Sequence, residues 1–264
     1  MIATASLQLA LGLLSGSLVG FSLGLVGGGG SILAVPLMVY LVGVADPHVA
    51  IGTSAIAVAA NAALNLATHA RAGNVKWQCA GVFAAAGVVG AFGGSTLGKM
   101  VDGQKLLLVF AVLMLVVGAL MLRKRTGDSN IAVSLNRENF PALAGLGLAT
   151  GALSGFFGIG GGFLVVPALM LATGMPILNA IGSSLVSVTA FGLTTAANYA
   201  LSGFVDWTLA IVFVTGGVAG GLIGARLAKG LAGKRGALNT VFAVLIFAVA
   251  IYMIYRGLTA GHAG

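Results

Sequence analysis

Two glycine runs are the residues with the clearest capacity for chemistry in this sequence. Gly27–Gly30 and Gly158–Gly162 interrupt long apolar stretches in a chain that contains 43 glycines. Each glycine disfavours a helix by up to about 1 kcal/mol relative to alanine. In lipid, a freed backbone group costs several kcal/mol unless protein, water or a ligand satisfies it. Free N–H groups at helix N-termini bind anions, so the runs predict an anion site, the alternative being that they only permit a tight hairpin.

Neutral polar side chains follow each glycine run inside apolar sequence. Asn61 and Asn65 lie four residues apart and therefore share a helix face. Such groups are costly in hydrocarbon, so we expect them to face the protein interior, where they either bond neighbouring helices or line a site. The predicted substrate-binding residues are Gly28, Gly29, Gly30, Ser31, Thr53, Ser54, Asn61, Asn65, Gly160, Gly161, Gly162, Ser183, Ser184, Ser187 and Asn198.

The ionisable residues argue against several other kinds of site. The five acidic residues all lie at the ends of predicted helices or in loops, namely Asp46, Asp102, Asp128, Glu138 and Asp206. A lining of neutral donors without a carboxylate at mid-membrane suits an anion. The single cysteine and three scattered histidines predict no metal site, and His69 is the one ionisable candidate for proton coupling. Without a nucleophile–base pair or paired carboxylates, neither an enzyme nor a cofactor is predicted.

The elements that must hold these residues are membrane helices. The chain is 59% hydrophobic and 7% charged, with a mean hydropathy of +1.10, whereas soluble domains carry about 25% charged residues. Stretches such as 106–122 and 237–255 carry no charge and are long enough to cross a bilayer. The net charge of +8 comes from basic residues between these stretches, which orient helices and contact anionic lipid. The predicted partner is therefore the bilayer and not nucleic acid.

The sequence also repeats itself at an offset of 130 to 131 residues, as positions 50 and 180 or 27 and 158 show. A duplicated gene explains such an offset. The matched segments are Gly27-Gly-Gly-Gly-Ser-Ile-Leu-Ala-Val-Pro36 with Gly158-Ile-Gly-Gly-Gly-Phe-Leu-Val-Val-Pro167, Ala50-Ile-Gly-Thr-Ser54 with Ala180-Ile-Gly-Ser-Ser184, and Gly73-Asn-Val-Lys-Trp77 with Gly203-Phe-Val-Asp-Trp207.

Hydropathy within each repeat predicts four to five helical segments. They lie near 5–26, 31–44, 48–70, 77–98 and 105–122, and near 141–157, 162–174, 178–201, 207–228 and 236–256. The second segment of each repeat is too short to span a bilayer and follows a glycine run, which predicts a broken or re-entrant helix. We therefore expect an all-α polytopic membrane protein with repeat 1 over 1–125, a polar linker over 126–140 and repeat 2 over 141–264. Glycines spaced by four, as at 12–24, 90–98 and 216–224, predict close helix packing.

The distribution of basic residues favours inverted repeats. With an odd number of crossings per repeat, ten basic side chains face the cytoplasm and three, Lys99, Lys105 and Arg256, face outward. With four crossings per repeat, seven face inward and six outward. The first arrangement fits the excess of Lys and Arg on the cytoplasmic side better.

The duplicated glycine–proline segment, Ile-Gly-Thr-Ser and Gly-x-Val-x-Trp together resemble the TauE/SafE family of sulfite and organosulfonate transporters. The resemblance runs from about Gly12 to Tyr255 and implies a protein of the bacterial or archaeal cytoplasmic membrane that moves small sulfur-containing anions. Its matched positions are Gly27–Ser31, Pro36, Gly52–Ser54, Gly73, Trp77, Gly158–Gly162, Pro167, Gly182–Ser184, Gly203 and Trp207.

From the residues and the resemblance we expect a secondary transporter that works by alternating access, with its site between the two glycine breaks near mid-membrane. An anion channel with the same lining and a non-transporting membrane scaffold are the alternatives. A small sulfur-containing anion is the expected partner besides lipid, and a homo-oligomer is left open.

Overall fold

The chain folds into helices throughout its described part. A computed structural model describes residues 2–122, 135–230, 244 and 246–257. No strand occurs among these residues, so the predicted all-α fold is confirmed. In chain order the elements are α1 (Ile2–Val26), a 3-10 helix (Gly27–Leu33), α2 (Ala34–Pro36), a π-helical turn (Leu37–Leu41), α3 (Pro47–Arg71), α4 (Trp77–Met100), α5 (Gly103–Leu122), α6 (Phe140–Phe157), α7 (Gly162–Thr173), α8 (Ile177–Ala200), α9 (Trp207–Gly230) and α10 (Ile246–Gly257).

Six helices of the described part are long and apolar enough to cross a membrane: α1, α3, α4, α6, α8 and α9. Each contains an apolar window of at least 18 residues with a mean hydropathy of 1.4 or more, which matches the length that a bilayer core requires. The multi-pass membrane architecture is thereby confirmed. Of the predicted segments, 236–256 and the linker 126–140 fall partly outside the described residues.

Aspartates fix where several of these helices begin. The Asp46 carboxylate accepts a hydrogen bond from the His48 amide at the start of α3, over 2.8 Å. Asp102 accepts from the amides at the start of α5, and Asp206 accepts from the Leu209 amide in α9. An N-cap carboxylate satisfies amides that the helix leaves open and faces the positive end of the helix dipole. These acids therefore lie at helix ends, as predicted.

Two pairs of helices pack along their glycines. In the first pair, α1 and α9, a Cβ on Gly20 would overlap the carbonyl of Gly217. In the second pair, α4 and α6, a Cβ on Gly94 would overlap the carbonyl of Ala152. Close backbone approach of this kind gives van der Waals contact where no hydrophobic force drives association. The packing prediction is confirmed for Gly16, Gly20, Gly90, Gly94, Gly98, Gly216, Gly220 and Gly224.

The helix directions follow from these contacts. Along α1 and α9, Gly16 lies against Phe213 and Gly20 against Gly217, so the two helices run parallel. The same order holds in α4 and α6. By contrast, α3 and α8 run antiparallel, because a Cβ on Gly52 would lie 2.9 Å from Tyr199 Cβ, at opposite ends of their helices.

These directions bear on how the repeats are related. At the offset of 130 to 131 residues, α3 corresponds to α8, and the α1–α9 pair corresponds to the α6–α4 pair. Corresponding helices α3 and α8 point in opposite directions. The inverted relation of the repeats stays a prediction, and these directions favour it.

The two glycine breaks differ in backbone conformation. The first is a continuous 3-10 helix over Gly27–Leu33 that leads through α2 into the π-helical turn. The second is a sharp turn between α6 and α7, in which Gly158, Gly160 and Gly161 adopt φ values of 69°, 65° and 67°. Such positive φ values cost residues other than glycine steric strain. The two breaks therefore present different surfaces, although their sequences match.

The glycine packing in α4 yields a stability prediction. We expect Gly94→Ala to lower the free energy of unfolding by about 1–3 kcal/mol, because its methyl group overlaps the Ala152 backbone. Gly93→Ala is the matched control, since a Cβ there meets nothing within 4 Å. Thermal or denaturant unfolding of the purified protein in detergent measures both. Equal stability of the two variants would contradict the packing account.

Candidate functional site

The N-terminus of α7 forms the centre of the candidate site. Its N-cap residue, Gly161, has φ 67°, and no side chain among the described residues caps the helix. The first amides of a helix lack the usual partner four residues earlier and carry the positive end of its dipole. In α7 the Leu164 amide donates to the Gly161 carbonyl over 2.9 Å, which leaves the Gly162 and Phe163 amides at the helix start. The start of α7 therefore presents N–H groups of the kind that bind oxyanions, and it contains the predicted residues Gly160, Gly161 and Gly162.

A buried hydroxyl lies beside this helix start. Ser154 is on the last turn of α6 and is fully buried, and its Oγ has no hydrogen-bond partner among the residues that the structure describes. A Cβ on Gly161 would lie 3.0 Å from Ser154 Oγ. A buried hydroxyl without a partner is uncommon and costs free energy, so it marks a place where a water or ligand is expected. Ser154 thus adds a side-chain donor to the backbone donors of α7.

The helix start lies near the middle of the membrane-spanning helices. A Cβ on Gly160 would lie 2.6 Å from Val58 Cγ1 and 3.2 Å from Val188 Cγ1. These valines are near the midpoints of α3 and α8. The first break also reaches this region, because the 3-10 helix Gly27–Leu33 packs against α7. The two glycine runs therefore lie close together, and the valine side chains of α3 and α8 lie beside the turn that precedes α7.

Among the described residues, seven further buried side-chain atoms have no hydrogen-bond partner, and three of them lie away from the ends of α3 and α8. Ser187 Oγ and Thr195 Oγ1 are on α8, and both residues are fully buried. Asn61 Nδ2 on α3 faces α9, where Gly217 leaves room for it. At the repeat offset, Phe191 of α8 occupies the position of Asn61 and fills the space that Gly87 leaves. The polar lining is thus not shared equally between the repeats.

Several predicted site residues already have partners within the protein. Ser54 Oγ and Ser184 Oγ donate to carbonyls of their own helices, at 3.1 and 2.8 Å. Asn65 Nδ2 donates to the Asn61 carbonyl over 2.9 Å. Thr53 Oγ1 and Ser183 Oγ each accept a backbone hydrogen bond, from Asp206 N at 3.0 Å and from Lys76 N at 2.9 Å. Thr53 and Ser183 thus bond the opposite repeat, close to the predicted role of bonding neighbouring helices, whereas Ser54, Ser184 and Asn65 bond their own helices, which was not predicted.

Asn198 belongs to a polar network between α4 and α8. Its Nδ2 donates to Ser95 Oγ over 2.6 Å and to Thr96 Oγ1 over 3.0 Å. Its Oδ1 and backbone carbonyl accept from Lys99 Nζ, which also donates to Ser202 Oγ. The network holds a lysine charge at the end of α4 with neutral acceptors, so the Asn198 side chain has a partner at each of its polar atoms.

The first glycine run, Gly27–Gly30, places fewer identified polar groups at the candidate site than the second run does. Gly28 and Gly29 lie in the 3-10 helix. Gly30 packs against the backbone of Ser22 and Leu23, and Ser31 is fully buried. No residue of this run has a positive φ among those that the structure describes.

Sequence reasoning missed Ser154, and the reason is the repeat itself. At the offset of 131 residues Ser154 corresponds to Leu23, so comparison of the repeats gives it no weight. The signal that identifies it is local, because it is a polar residue one helical turn before Gly158. Lys99 was interpreted only as a topology residue, and its partners became visible in the structure.

The two ends of the bundle differ in charge. Arg71, Lys76, Arg137, Glu138 and Arg226 lie at the end where α3 terminates and α4 begins. The opposite end carries acids as well as bases: Asp46, Lys99, Asp102, Lys105, Asp206 and Arg256. The basic end is the expected cytoplasmic side. Within the described ranges, no three His, Cys, Asp or Glu residues come together as a metal site would need.

Comparison with known proteins identifies the family. The family model described as "Sulfite exporter TauE/SafE" matches residues 12–253. The chain belongs to the TauE/SafE family. The match covers both glycine breaks, five of the six membrane-length helices of the described part and the second half of α1.

Relatives of this TauE/SafE protein carry transporter names. A "Probable membrane transporter protein" of Xylella fastidiosa (strain 9a5c) is 54% identical over 246 residues, covering 92% of this chain and 93% of the relative. YunE of Bacillus subtilis, also named a probable membrane transporter protein, is 26% identical over 94% of this chain and 96% of its own. A Haemophilus influenzae relative with the same description is 31% identical over 73% of this chain and 74% of its own. No solved structure matches the chain.

The family, the relatives and the six membrane-length helices establish this TauE/SafE protein as a multi-pass membrane transporter and not an enzyme. The start of α7 is therefore a candidate for the transport site.

The hydrogen bonds of Asn198, and the lack of one at Ser187, give a second prediction. We expect Asn198→Ala to lower the free energy of unfolding by about 1–3 kcal/mol, because it removes the Oδ1 acceptor of Lys99 and the Nδ2 donor to Ser95 and Thr96. Ser187→Ala should be neutral or slightly stabilising, because it removes a buried hydroxyl that has no partner. Unfolding in detergent without added anions measures both. Destabilisation by Ser187→Ala equal to that by Asn198→Ala would contradict this account.

Proposed function

We propose that this transporter moves small sulfur-containing anions, such as sulfite or a sulfonate, across the cytoplasmic membrane by alternating access. The observation that carries the proposal is the uncapped start of α7 with the unpartnered Ser154 hydroxyl beside it, at the level of Val58 and Val188. Broken helices with free N-termini near the bilayer midplane are how many secondary transporters bind their substrates.

The chemistry of this site suits an oxyanion. Amides at the start of α7 and the Ser154 hydroxyl are donors, and an oxyanion supplies several acceptors at once. Backbone dipoles provide the compensating charge, so binding does not require a lysine or arginine. A site without a full opposite charge also avoids holding the anion too tightly to release it. Ser187 and Thr195 on α8 and Asn61 on α3 are further donors that have no partner among the described residues.

A cation is a poorer fit to the described residues. Asp46, Asp102 and Asp206 cap helices at one end of the bundle, and their carboxylates already accept backbone hydrogen bonds. Glu138 precedes α6 at the other end. No described carboxylate thus lies at the level of the α7 start. Sulfur as the central atom is supported by the family description, "Sulfite exporter TauE/SafE".

A carrier fits better than the alternatives. A cavity of about 410 Å³ opens at the end of the π-helical turn, and none of its lining residues belongs to the α7 start. A channel would need a continuous path from such an opening to the site. A scaffold would have no use for uncapped amides at membrane depth, given their cost there. Accumulation of anion against its gradient in proteoliposomes distinguishes a carrier from a channel.

Ser154 provides the test of the site. We expect Ser154→Ala to lower the apparent affinity for sulfite or the transported sulfonate roughly 10- to 100-fold, the effect of losing one hydrogen bond to a charged group. The matched control is Thr150→Val, one helical turn away, because the Thr150 hydroxyl donates to its own helix over 2.7 Å. Concentration-dependent uptake into proteoliposomes measures both variants.

Equal apparent affinities for the anion in Ser154→Ala and the wild type would contradict the assignment of the α7 start as the anion site. Substitution of Gly160 cannot serve the same purpose, because its φ of 65° and the nearby Val58 make any side chain disruptive.

A further inference from the structure

Two hydrogen bonds join the repeats at matched positions. In one, the Asp206 amide donates to Thr53 Oγ1 over 3.0 Å. In the other, the Lys76 amide donates to Ser183 Oγ over 2.9 Å. Thr53 and Ser183 occupy the same position in Ile-Gly-Thr/Ser-Ser, and Asp206 and Lys76 the same position in Gly-x-Val-x-Trp. In each hydrogen bond, therefore, the Ile-Gly-Thr/Ser-Ser motif of one repeat binds the Gly-x-Val-x-Trp motif of the other repeat.

Glycines bring the backbones together at the same two places. A Cβ on Gly52 would overlap the carbonyl oxygen of Phe204, and a Cβ on Gly182 would lie 2.6 Å from that of Asn74. Gly52 and Gly182 are also matched positions. We call these the Thr53 contact (Gly52, Thr53, Phe204 and Asp206) and the Ser183 contact (Gly182, Ser183, Asn74 and Lys76).

The two contacts lie at opposite ends of the bundle. The Thr53 contact joins the first half of α3 to the loop that follows α8. The Ser183 contact joins the first half of α8 to the loop that follows α3. Because α3 and α8 are antiparallel and both are long enough to span the membrane, one contact lies toward each membrane face. The unpartnered Ser187 hydroxyl and the α7 start lie between them.

We propose that the Thr53 and Ser183 contacts are the two gates of this transporter, which open in alternation to expose the α7 start to one membrane face or the other. The proposal rests on the function proposed above. Each gate is closed by a backbone-to-hydroxyl hydrogen bond and by one glycine contact, so a movement of one loop away from one helix opens it. Both gates are closed in this structure.

The gates differ in their supporting contacts. At the Ser183 contact, Asn179 Nδ2 adds a hydrogen bond to the Asn74 carbonyl over 3.3 Å. At the Thr53 contact, position 49 corresponds to Asn179 and is a valine, and the ring of Phe204 packs instead against His48, with centroids 5.4 Å apart. One gate is thus supported by a polar side chain and the other by ring packing.

Glycine-to-alanine substitutions open each gate separately. The methyl group of Gly52→Ala should wedge open the Thr53 contact, and that of Gly182→Ala the Ser183 contact. Gly93→Ala is the control, because its methyl group meets nothing within 4 Å. The reporter is Ser187→Cys in a Cys79→Ala background, labelled with a small membrane-impermeant methanethiosulfonate that carries a quaternary ammonium group and is therefore not of the proposed substrate class. Labelling from each face is measured in intact cells and in inverted membrane vesicles.

We expect Gly52→Ala to raise the labelling rate about two- to tenfold from the face of the Thr53 contact, which the basic residues at the opposite end place outside the cell. Gly182→Ala should raise it by a similar factor from the cytoplasmic face. This range is the change in population that loss of one hydrogen bond produces. Gly93→Ala should label as the reporter alone does.

An increase from the same face in both wedge variants, or rates equal to those of Gly93→Ala, would overturn the gating proposal. If a wedge variant does not fold, Thr53→Val and Ser183→Ala remove the two acceptors without adding bulk, and the same pair of opposite changes is expected. Labelling needs no substrate. A negative labelling result can therefore contradict the gating proposal while the proposed anion transport still holds. Conversely, a failure to observe anion uptake would not change the labelling result.

Discussion

The structure depends on one constraint, which is that a backbone amide placed in the membrane must find a partner. Helices α1, α3, α4, α6, α8 and α9 meet it internally, and their glycines let the backbones pack closely without exposing polar groups. The turn between α6 and α7 departs from this rule, since the Gly161 N-cap has no side-chain partner. A ligand that completes these bonds would satisfy the break, which is the basis of the proposed transport site.

Hydropathy and repetition were sufficient to predict most of the fold. Starts and ends of α4, α6 and α7 fall within two residues of those predicted, because apolar runs, prolines and glycines mark them directly. The hydrogen-bond partners of the polar residues were harder to predict than the helices. The glycine run of α7 was identified, but Thr53, Ser183 and Asn198 turned out to bond other parts of the protein, and Ser154 was missed. An apolar sequence context predicts that a hydroxyl is buried. Only the three-dimensional packing shows whether a hydrogen-bond partner lies within reach of it.

The matched motifs of the two repeats fall into two classes, those that adopt the same structure and those that do not. Ile-Gly-Thr/Ser-Ser and Gly-x-Val-x-Trp form the same contact twice, so similarity there reflects similar structure. The glycine runs match equally well, yet one forms a 3-10 helix and the other a turn with positive φ values. Ser154 and Ser187 correspond to Leu23 and Ala57, so these two unpartnered hydroxyls have no counterpart in repeat 1. An asymmetric site between two matched contacts is the arrangement that the proposed transport cycle uses.

The most direct test of the central claim is ligand-induced thermal stabilisation of the purified protein. Sulfite, thiosulfate, taurine and sulfoacetate would be compared with carboxylates of similar size. A ligand at a hundred times its Kd adds about 2.7 kcal/mol of stability, so the account predicts a raised Tm with one or more sulfur oxyanions and none with the matched carboxylates. Equal stabilisation by both classes, or none by any sulfur anion, would contradict the assignment of the α7 start as a sulfur oxyanion site.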